Sequence, residues 1–239
     1  MEKIETMMSQ LRLNGMGRQW RLLLETRRVH ELSFGDGLEL LLQSEHDERK
    51  NRKFNRLQKN ARFRYKASPQ ELTFDAVRGL DKAQIGQLLM GNYIENGESV
   101  LITGATGCGK SFLASALGHQ ACAQGFTVAY HGVQKLLGKL KLARMDGTIN
   151  TVLDKLAKTN LLVLDDFGLT RLEHQQQLDF MEIFEDRHMK NATIVVSQLP
   201  VSSWYEIIGE ETIADAILDR LVHSSHRIEL KGESLRKKR

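Results

Sequence analysis

Two stretches of this chain hold residue types that nucleotide chemistry requires. Gly104, Ala105, Thr106, Gly107, Cys108, Gly109, Lys110 and Ser111 fill the G-x-x-x-x-G-K-[ST] pattern of a phosphate loop. An apolar run, Val100 to Thr103, leads into it, and a helical pattern beginning Phe112, Leu113, Ala116, Leu117 leaves it. The glycines let backbone N–H groups curl around an anion, while the following helix aims the positive end of its dipole at the same place. Lys110 is expected to reach the β- and γ-phosphates, and the Ser111 hydroxyl to ligate Mg²⁺. The second stretch runs from Asn160 to Gly168 and reads Asn-Leu-Leu-Val-Leu-Asp-Asp-Phe-Gly. A buried strand ending in two carboxylates supplies the other half of nucleotide hydrolysis. Asp165 is placed to hold the Mg²⁺ shell, and Asp166 to orient and polarise the attacking water.

These groups must be held by a sheet. Strand candidates are Val100–Thr103, Thr127–His131, Leu161–Leu164, Thr193–Ser197 and Arg227–Leu230, with helical stretches between them. Short continuous runs of Leu, Val and Ile suit strands buried on both faces, which predicts a parallel α/β phosphate-loop fold with helices on either side. Two further polar positions belong to this frame. Gln198 follows the strand ending in Ser197, where its amide can help to position water. Arg220 lies on an amphipathic helix, as an edge residue able to stabilise phosphoryl charge in a neighbouring subunit or as an ordinary intrahelical partner.

The first part of the chain has a different character. No strand signal precedes Glu98. Ile4, Met7, Met8 and Leu11 recur at helical spacing up to a stop at Asn14-Gly15, and a second helix is expected from about Met16 to Glu31. Ser33 with Asp36 reads as the cap of a third helix through Leu38, Leu41 and Leu42. Residues 1–68 carry fifteen Lys/Arg against nine Asp/Glu, so the positive charge is concentrated there. Arg49 to Lys66 contains nine cations and no acid: Arg49, Lys50, Arg52, Lys53, Arg56, Lys59, Arg62, Arg64 and Lys66. Phe54, Leu57 and Ala61 fall on one helical face and leave the rest of the circumference basic. Contact with a nucleic-acid backbone is the favoured reading, with a solvated face or an acidic protein partner as alternatives. Phe63 and Tyr65 are expected to be core anchors, with base stacking as the other option. Ser68-Pro69 breaks the pattern, giving a helical domain over 1–68 and a nucleotide-hydrolysing domain over 69–239.

With 41% hydrophobic and 27% charged residues the composition is that of a soluble protein. No apolar run approaches the roughly 18 residues of a membrane span. The start lacks a signal peptide's pattern, and Cys108 and Cys122 have no zinc spacing. A cytoplasmic, nucleoid-associated location is expected. His119, His131, His174, His188, His223 and His226 show no metal-ligand spacing.

The chain resembles AAA+ ATPases of the branch that holds DnaC-type helicase loaders and replication initiators. Within that branch it is most similar to the IstB family, ATP-dependent transposition helpers of bacterial insertion sequences. The resemblance is carried by Leu11-Arg-Leu-Asn-Gly-Met16, the helix with Glu45 and Arg49, the phosphate loop, Leu164-Asp-Asp-Phe-Gly-Leu169, Ile217-Leu-Asp-Arg-Leu-Val-His-Ser-Ser-His226 and Gly232-Glu-Ser-Leu-Arg236. It implies an AAA+ fold with a central five-stranded parallel sheet, a small all-α N-terminal domain and no C-terminal lid. It implies ATP with Mg²⁺ in a site extending from Gly104 to Phe112, Gln198 as sensor 1, Arg220 as arginine finger and Arg236 as a candidate sensor 2. Most AAA+ proteins have Glu where Asp166 stands. The partners implied are double-stranded DNA, a cognate transposase and further copies of the chain, with ATP between subunits. A helicase loader is the nearest rival; a small-molecule kinase and a non-hydrolysing nucleotide switch belong to other classes.

Overall fold

The computed structural model describes residues 2–234. The chain forms two compact units that divide between Arg56 and Leu57.

In the first unit, helices α1 (Glu2–Gln10), α2 (Asn14–Glu25) and the start of α3 (Phe34–Ala61) enclose a small core of Met8, Leu23 and Leu41. Leu13, Met16, Trp20, Val29 and Leu32 pack around it. The second helix stops at Glu25, short of the expected end, and a 3₁₀ turn at Arg28–His30 follows. Ser33 caps α3 as expected: its Oγ accepts the Asp36 N–H at 3.2 Å, and its hydroxyl donates to Asp36 Oδ2 at 2.7 Å. The first turn of α2 takes its cap from another helix. The Gly15 and Met16 N–H groups donate to Glu45 Oε2 of α3 at 2.7 and 3.3 Å. Gly15 permits this, because it lies directly against the Ser44 and Glu45 backbone.

Helix α3 ends at Ala61, where Arg62 turns into the left-handed region at φ 57°. The expected domain boundary at residue 68 therefore differs from the observed division, and the reason is burial. Leu57, Ala61 and Ala67 are buried. The Phe63 ring rests against Gly118 and meets Tyr130 edge-on at 6.2 Å, and Tyr65 tilts against Phe112 at 6.4 Å. Both aromatics are thus packing anchors of the second unit. Ser68 caps a short 3₁₀ turn, Pro69–Glu71.

The second unit continues through α4 (Lys82–Met90) and α5 (Asn92–Glu95) into β1 (Ser99–Gly104), α6 (Lys110–Ala123), β2 (Val128–Gly132), α7 (Val133–Met145), α8 (Ile149–Ala157), β3 (Leu161–Phe167), α9 (His174–Arg187), β4 (Ala192–Ser197), α10 (Trp204–Ile208), α11 (Glu211–Val222) and β5 (Ser225–Leu230). All five expected strands form, and all pair in parallel in the order β2-β3-β4-β1-β5. Successive side chains of a strand point to opposite faces, so continuous apolar runs need cover on both. Leu101, Leu162, Leu164 and Val195 join a core built with α7 to α11, centred on Phe167, Phe180 and Trp204. Val100, Ile102, Leu161, Val163 and Ile194 alternate with them and are equally buried, and α6 packs on β1, β3 and β4. Arg187, fully buried and with no ion pair among the described residues, donates to the carbonyls of Leu156, Thr159 and Ala192 and to Thr193 Oγ1. It ties the end of α8 to the start of β4.

Candidate nucleotide site

The strand order puts β4 between β1 and β3, so three C-terminal strand ends meet at one edge of the sheet, where open α/β folds bind ligands. The phosphate loop leaves β1 there. Gly104 (φ 141°) passes so close to the Leu230 carbonyl that a side chain would overlap it, and Gly109 (φ 104°) begins α6 from the left-handed region. The N–H groups of the loop and the first turn of α6 offer donors for an anion, although the Cys108 N–H already donates to the Ala105 carbonyl at 3.4 Å. Lys110 is buried, and its Nζ donates to the carbonyls of Gly104 and Ala105 at 2.7 and 2.8 Å. The ammonium is thereby held over the loop. Cys108 lies buried beneath it, 3.9 Å from Nζ. Ala105 and Gly107 complete the loop, and Phe112 on the first turn of α6 packs on Tyr65.

Asp165 is only 1% exposed, and it accepts four hydrogen bonds. Its Oδ1 takes the Ser111 hydroxyl at 3.0 Å and the Asp166 N–H at 2.9 Å; its Oδ2 takes the Tyr130 hydroxyl at 2.5 Å and Arg64 Nη1 at 3.0 Å. Asp166, in the left-handed region at φ 63°, sits in a bulge between Leu164 and Phe167 where β3 leaves its register with β4. Its Oδ2 accepts the same Arg64 nitrogen at 2.8 Å. The donor set facing the loop, the Ser111 hydroxyl and a carboxylate oxygen, suits a hard cation such as Mg²⁺, which takes few protein ligands beside phosphate and water. Among the described residues no group of three or more His, Cys, Asp or Glu gathers into a metal cage.

Gln198 stands just beyond β4, and its Oε1 accepts the Thr106 hydroxyl at 2.7 Å, which brings it onto the phosphate loop. Ser197 secures that strand end by donating to the Phe167 carbonyl at 2.8 Å. Arg220 lies apart from this cluster on α11. Its Nη1 donates to the Ala216 carbonyl at 2.8 Å, Nη2 pairs with Glu185 of α9, and the enclosed Nε has no acceptor among the described residues. Arg236 lies outside the described residues.

The basic run divides into three. Arg49 donates to Glu45 at 2.7 Å, and Arg52 lies 3.6 Å from Glu45 and 3.8 Å from Glu48. Lys50, Lys53, Arg56, Lys59 and Arg62 are exposed, with no ion pair among the described residues. Arg64, expected among the nucleic-acid contacts, is instead on the two acidic residues of the site. Hydrogen bonding to Asp165 holds its guanidinium firmly charged.

Tyr130 was invisible as a site residue, although the sequence held one signal. Gly132 of β2 pairs with Asp165, so Tyr130, two residues upstream, points to the same face of the sheet. Burial first, and the Asp165 charge second, push the phenol's pKa up and keep it a donor.

A model of the IstB-like ATP-binding protein family matches residues 6–239. The chain belongs to this family. It is 43% identical over 237 residues to the insertion-sequence ATP-binding protein y4pL of Sinorhizobium fredii, an alignment covering 99% of this chain and 95% of that one. It is 29% identical over 238 residues to the ATP-binding protein of insertion sequence IS21 from Pseudomonas aeruginosa, covering 100% and 90%. Among solved structures, the DnaC helicase loader superposes with a TM-score of 0.59 at 21% identity, covering 70% of this chain and 98% of that one. AMPPCP-bound DnaA from Aquifex aeolicus gives 0.60 at 20%, covering 72% and 53%. The family member described here thus has the AAA+ phosphate-loop fold. Among its described residues no helix is long and apolar enough to cross a membrane.

Proposed function

We propose that the protein is an AAA+ ATPase that assembles on double-stranded DNA and helps a cognate transposase to act at its target. One observation carries the ATPase part: the Ser111 hydroxyl of the phosphate loop is hydrogen-bonded to Asp165 at 3.0 Å, with Asp166 beside it. Lys110 and the loop N–H groups bind the phosphates, Ser111 and Asp165 hold Mg²⁺, and Asp166 with Gln198 orients water. Mg²⁺ held by Ser111 and Asp165 would supply electrostatic neutralisation of phosphate charge.

Insertion-sequence relatives support the transposase partnership. The exposed Lys50, Lys53, Arg56, Lys59 and Arg62 support DNA contact through phosphates. Arg220 is the proposed trans-acting finger. A helicase loader is the second reading, favoured by the likeness in fold to DnaC.

Light scattering with and without ATP, Mg²⁺ and duplex DNA tests the proposal on wild type and Arg220→Ala. Assembly that needs both ATP and DNA, and fails in Arg220→Ala, is expected. A protein that stays monomeric in every mixture removes the DNA-assembly model and leaves the loader reading.

A further inference from the structure

We propose that Arg64 is a built-in counter-ion of the nucleotide site, paired with the two carboxylates and released when Mg²⁺ and nucleotide are seated. This rests on the ATPase reading of the same site.

The four hydrogen bonds on Asp165 use the four lone-pair positions that a carboxylate offers. A cation coordinating this carboxylate therefore displaces a donor. Ser111 is itself a ligand of that cation. The Asp166 N–H is fixed by the bulge, and Tyr130 is buried on β2. Arg64 is the remaining donor; its side chain is 41% exposed, and it comes from a non-helical segment beyond α3. It is also the donor that a divalent cation repels.

The same nitrogen occupies Asp166 Oδ2. A carboxylate paired with a guanidinium is a weaker base towards water, so release of Arg64 favours the proposed role of Asp166. Arg64 acts through the two aspartates and is a positioning residue. It balances the charge of the two carboxylates, and it sets the Mg²⁺ concentration at which the site loads.

The experiment measures binding of a fluorescent ATP analogue across a Mg²⁺ titration for wild type, Arg64→Ala and Arg64→Lys. Without the competing cation, Arg64→Ala is expected to reach half-saturation at about tenfold lower Mg²⁺, a shift on the order of that produced by one nearby like charge. Arg64→Lys should stay near wild type. In parallel, tryptic cleavage after Arg64 in the wild-type chain should speed up with Mg²⁺ plus a non-hydrolysable nucleotide, but not with nucleotide in chelator. This second arm needs no variant to fold. A Mg²⁺ midpoint within twofold of wild type in Arg64→Ala, or cleavage after Arg64 indifferent to Mg²⁺-nucleotide, overturns the inference while leaving the ATP site intact. Failure of wild type to bind nucleotide at any Mg²⁺ concentration overturns the ATPase reading, and this inference with it.

Discussion

The backbone N–H of Asp166 donates to Oδ1 of Asp165 at 2.9 Å, and Asp166 is left-handed, at φ 63°. Asp and Asn tolerate this region far better than longer side chains, because their short polar groups bond locally. The bulge in β3 thus gives a physical reason for Asp rather than Glu here.

Asp166→Asn therefore keeps the backbone and removes the carboxylate proposed to polarise water. It is expected to bind ATP normally and to turn over at least about a hundredfold more slowly, within the usual range for removing a general base. Asp166→Glu should melt lower, by about 1 kcal/mol of left-handed strain. Phosphate release and thermal melts check both. Unchanged turnover in Asp166→Asn would leave the protein a nucleotide switch that does not hydrolyse.

For Arg220 to act in a neighbour, it must let go of Glu185. That pair is an inexpensive latch, since Glu185 is 57% exposed and such pairs contribute about 0.2–1 kcal/mol. Glu185→Gln is expected to lower the protein concentration at half-assembly by about two- to fivefold, read by light scattering with ATP and DNA. Weaker assembly would instead make Glu185 the group that aims Arg220.

What the sequence revealed and what it hid follow from the range of each interaction. The central strands were legible because runs such as Leu161–Leu164 and Ile194–Val196 need apolar cover on both faces, which a parallel sheet between helix layers supplies. The phosphate loop was legible because its function lies in contiguous backbone. Gln198 follows the end of β4, and that position is what brings it to Thr106 of the loop. Arg64 was not legible: within a run of nine cations no local signal separates it from Lys59 or Arg62, and its partners lie 101 and 102 residues away. The division between Arg56 and Leu57, rather than at residue 68, has a similar origin. Phe63 and Tyr65 find their partners on β2 and α6, whereas helical periodicity reports only neighbours.

His131, at the end of β2, is pushed down to about 4, chiefly by burial and then by Lys139, Arg62 and Lys155. The unfolded chain binds the proton near pH 6.5, while the folded one refuses it until about 4. Stability from this group is thus complete above pH 6.5 and is lost as pH falls towards 4. Denaturant unfolding of His131→Gln should show a shallower acid slope in that window than wild type. A ring-proton titration by NMR with its midpoint near 6.5 would contradict the assignment.

Gly15 and Gly17 share one helix and one residue type, yet they predict opposite outcomes. A methyl on Gly15 would overlap the Ser44 carbonyl oxygen and lie 2.6 Å from Glu45 Cα, both backbone atoms of α3. Helix α2 must then shift, and the hydrogen bonds from Gly15 and Met16 to the buried Glu45 carboxylate stretch with it. Overpacking of this kind costs about 1–3 kcal/mol. On Gly17 the nearest atom is Met8 Cβ at 3.9 Å, an ordinary contact. Ala is also the better helix former, by about 1 kcal/mol. Gly15→Ala should therefore speed amide exchange over residues 14–25, and Gly17→Ala should slow it. Nucleotide affinity of the second unit should stay at the wild-type value in both. Equal protection in the two variants would mean that the close approach of α2 to α3 does not hold the first unit together.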